Sequence, residues 1–351
     1  MKNMHVLAII LLTGIILAYS ASCSKKRVPA GPLTFTTPTV TCTITPTFTP
    51  TIPPGTIWNQ TAAAPSFTGR SQLTTLSYNG KMFNLAGARY AAMYNDVWSS
   101  TDGITWNSET ANGGFPGRYS HSSTVYTNVF AGLSPGIEKM WIIGGYNGSY
   151  LSDVWCSSDG ISWSQATATA AFGNRAEQVT VVFNGSMWVI AGGITGNITT
   201  NDVYSSSDGA TWTLATANAG FSNRKQHSGV VYNNRIWVIG GNTGTTLLND
   251  VWYSSDGVIW NNATMNAAFN PRYGHVSLVY DNKMWVIGGG ITGTVINDAW
   301  YSTDGITWTA AAITIPFTAR TFHSGTVYGN KMWVIAGTGG GVYFNSVWSA
   351  Q

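Results

Sequence analysis

Charged side chains are scarce in this chain: they make up 9% of its 351 residues, whereas soluble domains average about 25%. The net charge is only +3, and the longest basic run is the tripeptide KKR at 25–27. Proteins that bind polyanions concentrate Lys and Arg on one surface. The composition therefore argues against a nucleic-acid partner.

Cysteine is also rare, with three copies that stand in unlike contexts. Cys23 follows an apolar segment, Cys42 lies in a Thr/Pro-rich stretch, and Cys156 takes a place where related segments have Ser or Tyr. This distribution argues against a disulfide framework. No Cys-x-x-Cys, P-loop or nucleophile-elbow motif is present, so the sequence predicts neither a cofactor nor a metal site.

The apolar run VLAIILLTGIILA at 6–18 is too short to span a bilayer comfortably and is typical of a secretory signal. We therefore predict a signal peptide over 1–22. Small residues before Cys23 resemble a bacterial lipobox, although Ser20 stands where that motif usually has Leu. Lipidation of Cys23 would anchor an exported protein to a membrane of the cell envelope, and plain cleavage is the alternative.

The segment 23–55 is rich in Thr and Pro, as in TFTTPTVTCTITPTFTPTIPPGT. Closely spaced Pro residues prevent regular β-sheet hydrogen bonding and favour extended conformations. We predict that it is a spacer between the membrane and a domain at 56–351.

Helical periodicity of useful length is absent after residue 56, and a short segment recurs instead. DVWYSSDGVIW at 250–260 has close copies at 96–106, 153–163, 202–212 and 298–308. The final Trp of each copy recurs every 57, 49, 48 and 48 residues, a period typical of stacked or radial repeats. Each unit contains four runs of strand character, which we name A to D, separated by tight-turn residues. The pattern predicts an all-β fold, a β-propeller with four antiparallel strands per blade.

The number of blades follows from the dipeptides that end strand B. Gly-Gly or Ala-Gly occurs there six times, at 86–87, 144–145, 192–193, 240–241, 288–289 and 336–337. The domain begins with a lone D strand at 56–58 and finishes with a C strand at 346–349 that has no D strand after it. We predict six blades, with strand 56–58 completing the last blade and closing the ring.

These features resemble the kelch repeat: Gly-Gly after an apolar strand, an Asp-Val strand, a Trp and then Arg-x-x-His, throughout 56–351. The turn S-x-D-G-x-T-W is similar to the Asp-box of sialidase-type propellers, shortened by one residue. Both families imply a propeller. The kelch family implies a binding module, and the sialidase family implies a carbohydrate-active enzyme. Galactose oxidase shares the kelch fold and has a copper site that uses a Cys. Cys156 occupies a repeat position here, so the resemblance gives no basis for expecting that site in this chain.

The repeat accounts for most of the residues that could do chemistry. All sixteen Trp fall on three repeat positions, which indicates core packing. Ten of the fourteen carboxylates also occupy repeat positions. Glu109 and Glu177 do not, and we place them near the face formed by the B–C and D–A loops, where a ligand would bind and where two acids could serve a glycosidase. One His per blade follows Arg-x-x, and we favour a structural hydrogen bond over a metal for these four: His121, His227, His275 and His323.

Each blade opens strand A with an Arg, which could form a ring of guanidinium groups at the channel mouth. Such a ring would bind carboxylates of an acidic peptide or glycan. Alternatively, each Arg pairs with the Asp that begins strand C. Blade six has Ser346 in place of that Asp, so Arg320 should then be the freest. The candidates are Arg70, Arg118, Arg175, Arg224, Arg272 and Arg320.

Aromatic side chains are concentrated in the B–C loops of blades six, one and two. Exposed aromatics with polar tips suit stacking on a sugar or peptide, although these loops could instead cover the closing blade. The residues are Arg89, Tyr90, Tyr94, Tyr146, Tyr150, Tyr343 and Phe344. We expect a monomeric, membrane-anchored binding module for a protein, peptide or glycan. A sialidase-like enzyme and a structural cell-surface protein remain alternatives.

Overall fold

The computed structural model describes residues 57–127, 136–311 and 315–351 with their side chains, and the backbone of three strands nearer the N-terminus. The chain divides into two compact units, Met1–Pro53 and Pro54–Gln351. The first contains an antiparallel sheet of β1 (Leu7–Leu12), β2 (Ile15–Ser24) and β3 (Thr41–Thr47). The side chain of Cys23 lies outside the described part, so its lipidation stays a prediction. No helix in the described residues is long and apolar enough to cross a membrane.

The second unit begins with β4 (Trp58–Ala62) and then repeats one four-stranded antiparallel arrangement. Sheet one comprises β5 (Thr74–Tyr78), β6 (Lys81–Leu85), β9 (Val97–Ser100) and β10 (Asn107–Thr110), and a separate two-stranded hairpin of β7 (Ala88–Arg89) and β8 (Ala92–Met93) lies between β6 and β9 in the chain. Sheet two comprises β11 (Ser122–Thr127), β12 (Glu138–Tyr146), β13 (Tyr150–Ser157) and β14 (Ser164–Thr167). The short β15 (Arg175–Ala176) joins it to sheet three, with β16 (Val179–Phe183), β17 (Ser186–Ile194), β18 (Ile198–Ser206) and β19 (Thr213–Thr216).

The remaining sheets follow the same plan. Sheet four comprises β20 (Ser228–Tyr232), β21 (Arg235–Asn242), β22 (Leu247–Ser254) and β23 (Asn261–Thr264). Sheet five comprises β24 (Val276–Tyr280), β25 (Lys283–Ile291), β26 (Thr294–Ser302) and β27 (Thr309–Ala310). Sheet six contains β28 (Ser324–Tyr328), β29 (Lys331–Ile335) and β32 (Val347–Ala350), and a separate two-stranded hairpin of β30 (Thr338–Gly339) and β31 (Val342–Tyr343) lies between β29 and β32 in the chain.

The outermost strand of sheet six is β4, which comes from the start of the unit. It runs antiparallel to β32, with Trp58 opposite Ala350 and Ala62 opposite Val347. Trp58 is buried and meets Phe317 edge to face, with 5.5 Å between ring centroids. The first and last strands of this unit therefore belong to one sheet.

A series of backbone hydrogen bonds links the sheets just before their A strands. One residue per sheet has a left-handed backbone conformation there, and its N–H donates to the carbonyl of its counterpart in another sheet. The donors and acceptors are Gln72 to Phe322, Ser120 to Gln72, Glu177 to Ser120, Gln226 to Glu177, Gly274 to Gln226, and Phe322 to Gly274. The series thus returns to the residue at which it began.

Among the residues that the structure describes, the buried apolar side chains form six clusters, each between two sheets. One cluster, for example, packs Trp188 and Ile190 of sheet three against Ile236 and Val238 of sheet four. The Trp side chains at the B and D positions are buried, except for the half-buried Trp163, and the five at the C position are half-buried and pack against the same clusters. This is the core role that their repetition predicted.

The turns between strands C and D contain the repeated Asp-Gly. In sheet four, Asp256 Oδ1 accepts the N–H groups of Val258 and Ile259 at 2.8 Å, and Gly257 N–H donates to Ser254 Oγ. Burial raises the pKa of Asp256, but these N–H donors outweigh it and leave that pKa below its usual value. Gly257 has a φ of 77°, and a Cβ there would lie 2.1 Å from the ring of Trp188.

This geometry corrects the predicted limits of strand D. The sequence places it on the tripeptide before and including the Trp, whereas the strand itself follows the Trp, as in Asn107–Thr110. The N–H groups of Ile104 and Thr105 bond to the Asp102 carboxylate and are not available to a neighbouring strand. Likewise, β4 begins at Trp58, where strand 56–58 was expected to end.

Candidate functional site

The six repeated arginines are buried, with 0–2% of their surface exposed. In sheet four, Arg224 Nη1 and Nη2 lie 2.8 Å from the two carboxylate oxygens of Asp250, and Nη1 also donates to Gly240 O. The same bidentate pair occurs in four further sheets, as Arg70–Asp96, Arg118–Asp153, Arg175–Asp202 and Arg272–Asp298. Their guanidinium groups therefore face the sheets and form no exposed ring at the mouth.

Four of these five carboxylates also accept a hydrogen bond from a Trp. In sheet four, the indole N–H of Trp252 donates to Asp250 Oδ2 at 2.7 Å, and Trp98, Trp155 and Trp300 make the equivalent bond. In sheet three, Tyr204 stands at the Trp position and lies over Arg175. A Phe three residues before each Arg covers it, as Phe221 covers Arg224 at 5.1 Å. In the four sheets with the Trp, the strand-C Asp thus holds an Arg and a Trp together, which is a structural role.

Arg320 lacks that carboxylate, as the sequence indicated, yet it is no more exposed than the others. Its Nη2 reaches Ser346 Oγ at 3.2 Å, and its remaining donors bond to the carbonyls of Thr318 and Ala336. Phe344 packs over its guanidinium at 4.5 Å. Arg320 is therefore the one of the six arginines without an acid partner, as expected from Ser346, but its side chain is buried like the others.

A cavity of about 260 Å³ lies where the A strands begin. Each of the six sheets contributes four consecutive residues, starting with the residues of the hydrogen-bonded series: Gln72, Ser120, Glu177, Gln226, Gly274 and Phe322. Most of these lining side chains are amides, hydroxyls or imidazoles. We call the end of the cavity formed by these six starting residues the mouth.

One side of the mouth is charged. Glu177 accepts a hydrogen bond from Gln226 Nε2 at 2.5 Å and forms an ion pair with Lys225, 3.1 Å from Nζ to Oε2. Lys225 Nζ also donates to Asn197 Oδ1 at 2.6 Å. Glu177 lies near enough to Tyr119 to contribute to the raised pKa of that phenol, whose main cause is burial. Its hydrogen-bond partners are an amide and an ammonium, however, and not the Tyr that a sialidase-like mechanism would need.

Glu109 lies away from the mouth, which corrects its predicted position. It falls within β10 at a register shift between Ser108 and Thr110. Its Oε1 accepts hydrogen bonds from Ser99 Oγ at 2.5 Å and Lys81 Nζ at 2.8 Å, close to the A–B turn at the opposite end of the sheet. Glu109 and Glu177 therefore do not converge on one sugar bond as a glycosidase requires.

The four histidines line the cavity, one to a sheet. Burial lowers the pKa of His121, His227 and His323 to about 3, and lowers that of His275 well below its usual value. They are therefore neutral at physiological pH. His275 Nε2 lies 2.7 Å from Ser228 Oγ, and His121 Nε2 lies 2.9 Å from Thr74 Oγ1. Within the described residues, no group of three or more His, Cys, Asp or Glu could hold a metal ion.

The predicted aromatic residues fall into three sets. Tyr90 is 71% exposed and meets Tyr343 edge to face at 4.9 Å, while Arg89 lies over Tyr90 at 5.4 Å. Tyr146 contacts Tyr150 at 5.3 Å. In the third set, Tyr94 and Phe344 cover the buried guanidinium groups of Arg70 and Arg320. Some of these aromatic residues therefore face solvent, and others cover buried arginines.

Several aromatic residues at or beside the mouth were not predicted from the sequence. Tyr119 packs on Tyr146 at 5.4 Å, and Tyr273 packs on Phe322 at 5.6 Å. Tyr343 also contributes to the raised pKa of Tyr119, so the two aromatic groups adjoin. These residues occupy the two middle places of Arg-x-x-His. The residue types at these two places differ from one repeat to the next. That variation could have indicated a functional surface, because positions that the fold does not constrain are free to differ.

Comparison with known families gives two matches. The KLHDC2/KLHL20/DRC7 Kelch-repeats domain matches residues 136–312, and the DUF6242 beta propeller domain matches residues 55–157. No curated protein matches the chain. The first match spans half of the sequence, including all of sheets three, four and five. Together with the repeated antiparallel sheets, it shows that the chain belongs to the kelch-repeat family of β-propellers.

Proposed function

We propose that this protein is a six-bladed kelch propeller that binds a protein, peptide or glycan at the mouth face. Kelch propellers typically act as interaction modules, which supports a binding role. The observation that carries the proposal is a set of tyrosines near the polar cavity, of which Tyr90 is exposed and the others are half-buried. Tyr90, Tyr343, Tyr119 and Tyr146 offer ring faces for stacking and hydroxyls for hydrogen bonds.

The ring geometry of this proposal rests on three contacts. β4 pairs with β32, the backbone hydrogen-bond series returns to its starting residue, and Gly103 of sheet one packs on Trp333 of sheet six. A closed ring pairs every sheet with two neighbours and protects its edges. We further propose export and lipid anchoring at Cys23, which the apolar run and the small residues before this Cys support.

Replacing Trp58 with Ala tests closure. Because β4 would complete the ring, the loss of its buried indole should lower the free energy of unfolding by about 3 kcal/mol, the usual cost of truncating a core Trp. Trp106 holds the same repeat position inside sheet one and is the matched control. Urea unfolding should show similar losses for Trp58→Ala and Trp106→Ala. A neutral Trp58→Ala variant beside a destabilised Trp106→Ala variant would contradict closure by β4.

Replacing Tyr90 and Tyr343 with Ala tests the binding face. Ligands retained by the native protein on glycan and peptide arrays should bind the double variant at least about tenfold more weakly, since two stacking contacts are lost. Ile306→Ala is the control, because Ile306 is exposed in a C–D turn at the other end of the sheets. Unchanged binding in the Tyr variant, or an equal loss in Ile306→Ala, would remove the mouth face from consideration. Absence of any retained ligand would favour a purely structural cell-surface role.

A further inference from the structure

Sheet six differs from the other five at the residue that begins strand C. In those five sheets an Asp carboxylate accepts hydrogen bonds from both terminal nitrogens of the buried Arg, at 2.5–3.0 Å. In four of them it also receives a Trp indole N–H at 2.7 Å. The position is thus shaped for a carboxylate by three converging donors. In sheet six the residue is Ser346.

The donors themselves are retained in sheet six. Arg320 Nη2 reaches Ser346 Oγ at 3.2 Å, and Trp348 Nε1 reaches the same oxygen at 3.3 Å. Both bonds are longer than their counterparts in the other sheets, because one hydroxyl oxygen replaces two carboxylate oxygens on a longer side chain. Arg320 Nη1 still donates to Ala336 O, as the other arginines do to their own B strands.

The charge of Arg320 is uncompensated as well. Its surface is 1% exposed, and the rings of Phe317 and Phe344 lie 5.2 Å and 4.5 Å from its guanidinium carbon. Among the ion pairs between described residues, none includes Arg320. Burial lowers its pKa to about 10, which still leaves it charged at neutral pH. A buried cation without an anion is costly, and an anion that binds there is correspondingly favoured.

We propose that sheet six binds a small carboxylate beside Ser346, where it accepts hydrogen bonds from Arg320 and Trp348 as the Asp carboxylate does in the other sheets. Solvent can reach this position: the equivalent side chains Asp96 and Asp298 are 16% and 38% exposed, and Ser346 is half-buried. The Ser346 hydroxyl can turn and donate to the bound carboxylate. Asp exceeds Ser by two heavy atoms and formate has three, so the smallest carboxylate should enter only when the Ser346 hydroxyl turns away from Arg320 and Trp348.

The experiment titrates sodium formate, up to about 0.2 M, into the full-length protein and into the variant Ser346→Asp, which supplies its own carboxylate. The native protein should gain about 3 °C in Tm relative to Ser346→Asp over this range. The proton NMR line of formate should broaden in the presence of the native protein and stay sharp with Ser346→Asp. Acetate provides a second probe that reports the size limit of the site.

A reciprocal variant tests the same idea in another sheet. Asp250→Ser reproduces the sheet-six arrangement around Arg224 and Trp252, so it should acquire a formate response that the native sheet four lacks. Asp298→Ser, at a more exposed copy, serves if Asp250→Ser does not fold. Equal formate responses in the native protein and Ser346→Asp would overturn the proposal, as would a folded Asp→Ser variant that ignores formate. The site uses no mouth tyrosine, so ligand binding at the mouth stands or fails separately.

Discussion

Replacing Asp250 with Ala should lower the free energy of unfolding by about 4 kcal/mol, because it leaves a buried guanidinium without its counter-ion. Arg224 has no exposed surface and would lose two charge-assisted bonds to the carboxylate. The indole N–H of Trp252 would lose its acceptor in the same step. Urea unfolding monitored by circular dichroism measures the loss.

Asp256→Ala is the matched control, six residues further along the same repeat. That Asp accepts backbone N–H groups in an exposed turn, where water can replace it, so its loss should cost only about 1 kcal/mol. Equal losses in Asp250→Ala and Asp256→Ala would show that the buried ion pair has no special part in holding strands A and C together.

Acidification should destabilise the protein well before its carboxylates titrate. An unfolded His takes up a proton below a pH of about 6.5, whereas the buried His121, His227 and His323 stay neutral down to a pKa of about 3. The unfolded state therefore binds more protons between these values, and stability falls as the pH falls. From about pH 7.5 to about pH 5 each should cost about 2 kcal/mol, or about 6 kcal/mol together. His275 acts in the same direction.

Sheet three supplies the control for this prediction, because Gln178 occupies the histidine position there and donates to Ile143 O at 2.8 Å. His227 faces the equivalent carbonyl of Ile190. The variant His227→Gln keeps a neutral donor at that place and should reduce the pH dependence of unfolding by about 2 kcal/mol over the same range. An unchanged pH dependence in His227→Gln would show that its pKa is not depressed by burial.

The kelch assignment was predictable from the sequence and is confirmed by the family match. Its signals are local: Asp256 and Gly257 specify a tight turn, and the apolar alternation of VSLVY specifies a half-buried strand. Local signals also explain the error in strand D. Trp260 ends an apolar run that looks like a strand, but the N–H of Ile259 just before it is already bonded to Asp256.

The candidate site was less predictable because it depends on distances between sheets. Six arginines and five aspartates are compatible with both an exposed ring and buried pairs, and only the 2.8 Å contacts between Arg224 and Asp250 distinguish them. The Glu177–Lys225 pair joins residues 48 positions apart in different sheets. No periodicity marks such a pair, since neither residue recurs at its place in other copies.

Because β4 pairs with β32, the first and last strands of the second unit lie side by side in one sheet. Trp58 lies directly opposite Ala350 in one antiparallel ladder, so the two ends of the propeller are about one strand spacing apart. A short peptide could join them, and a new start could be opened in the exposed loop at 244–246. Such a circular permutant would keep every strand pair of the second unit, because none of them depends on which sheet is made first.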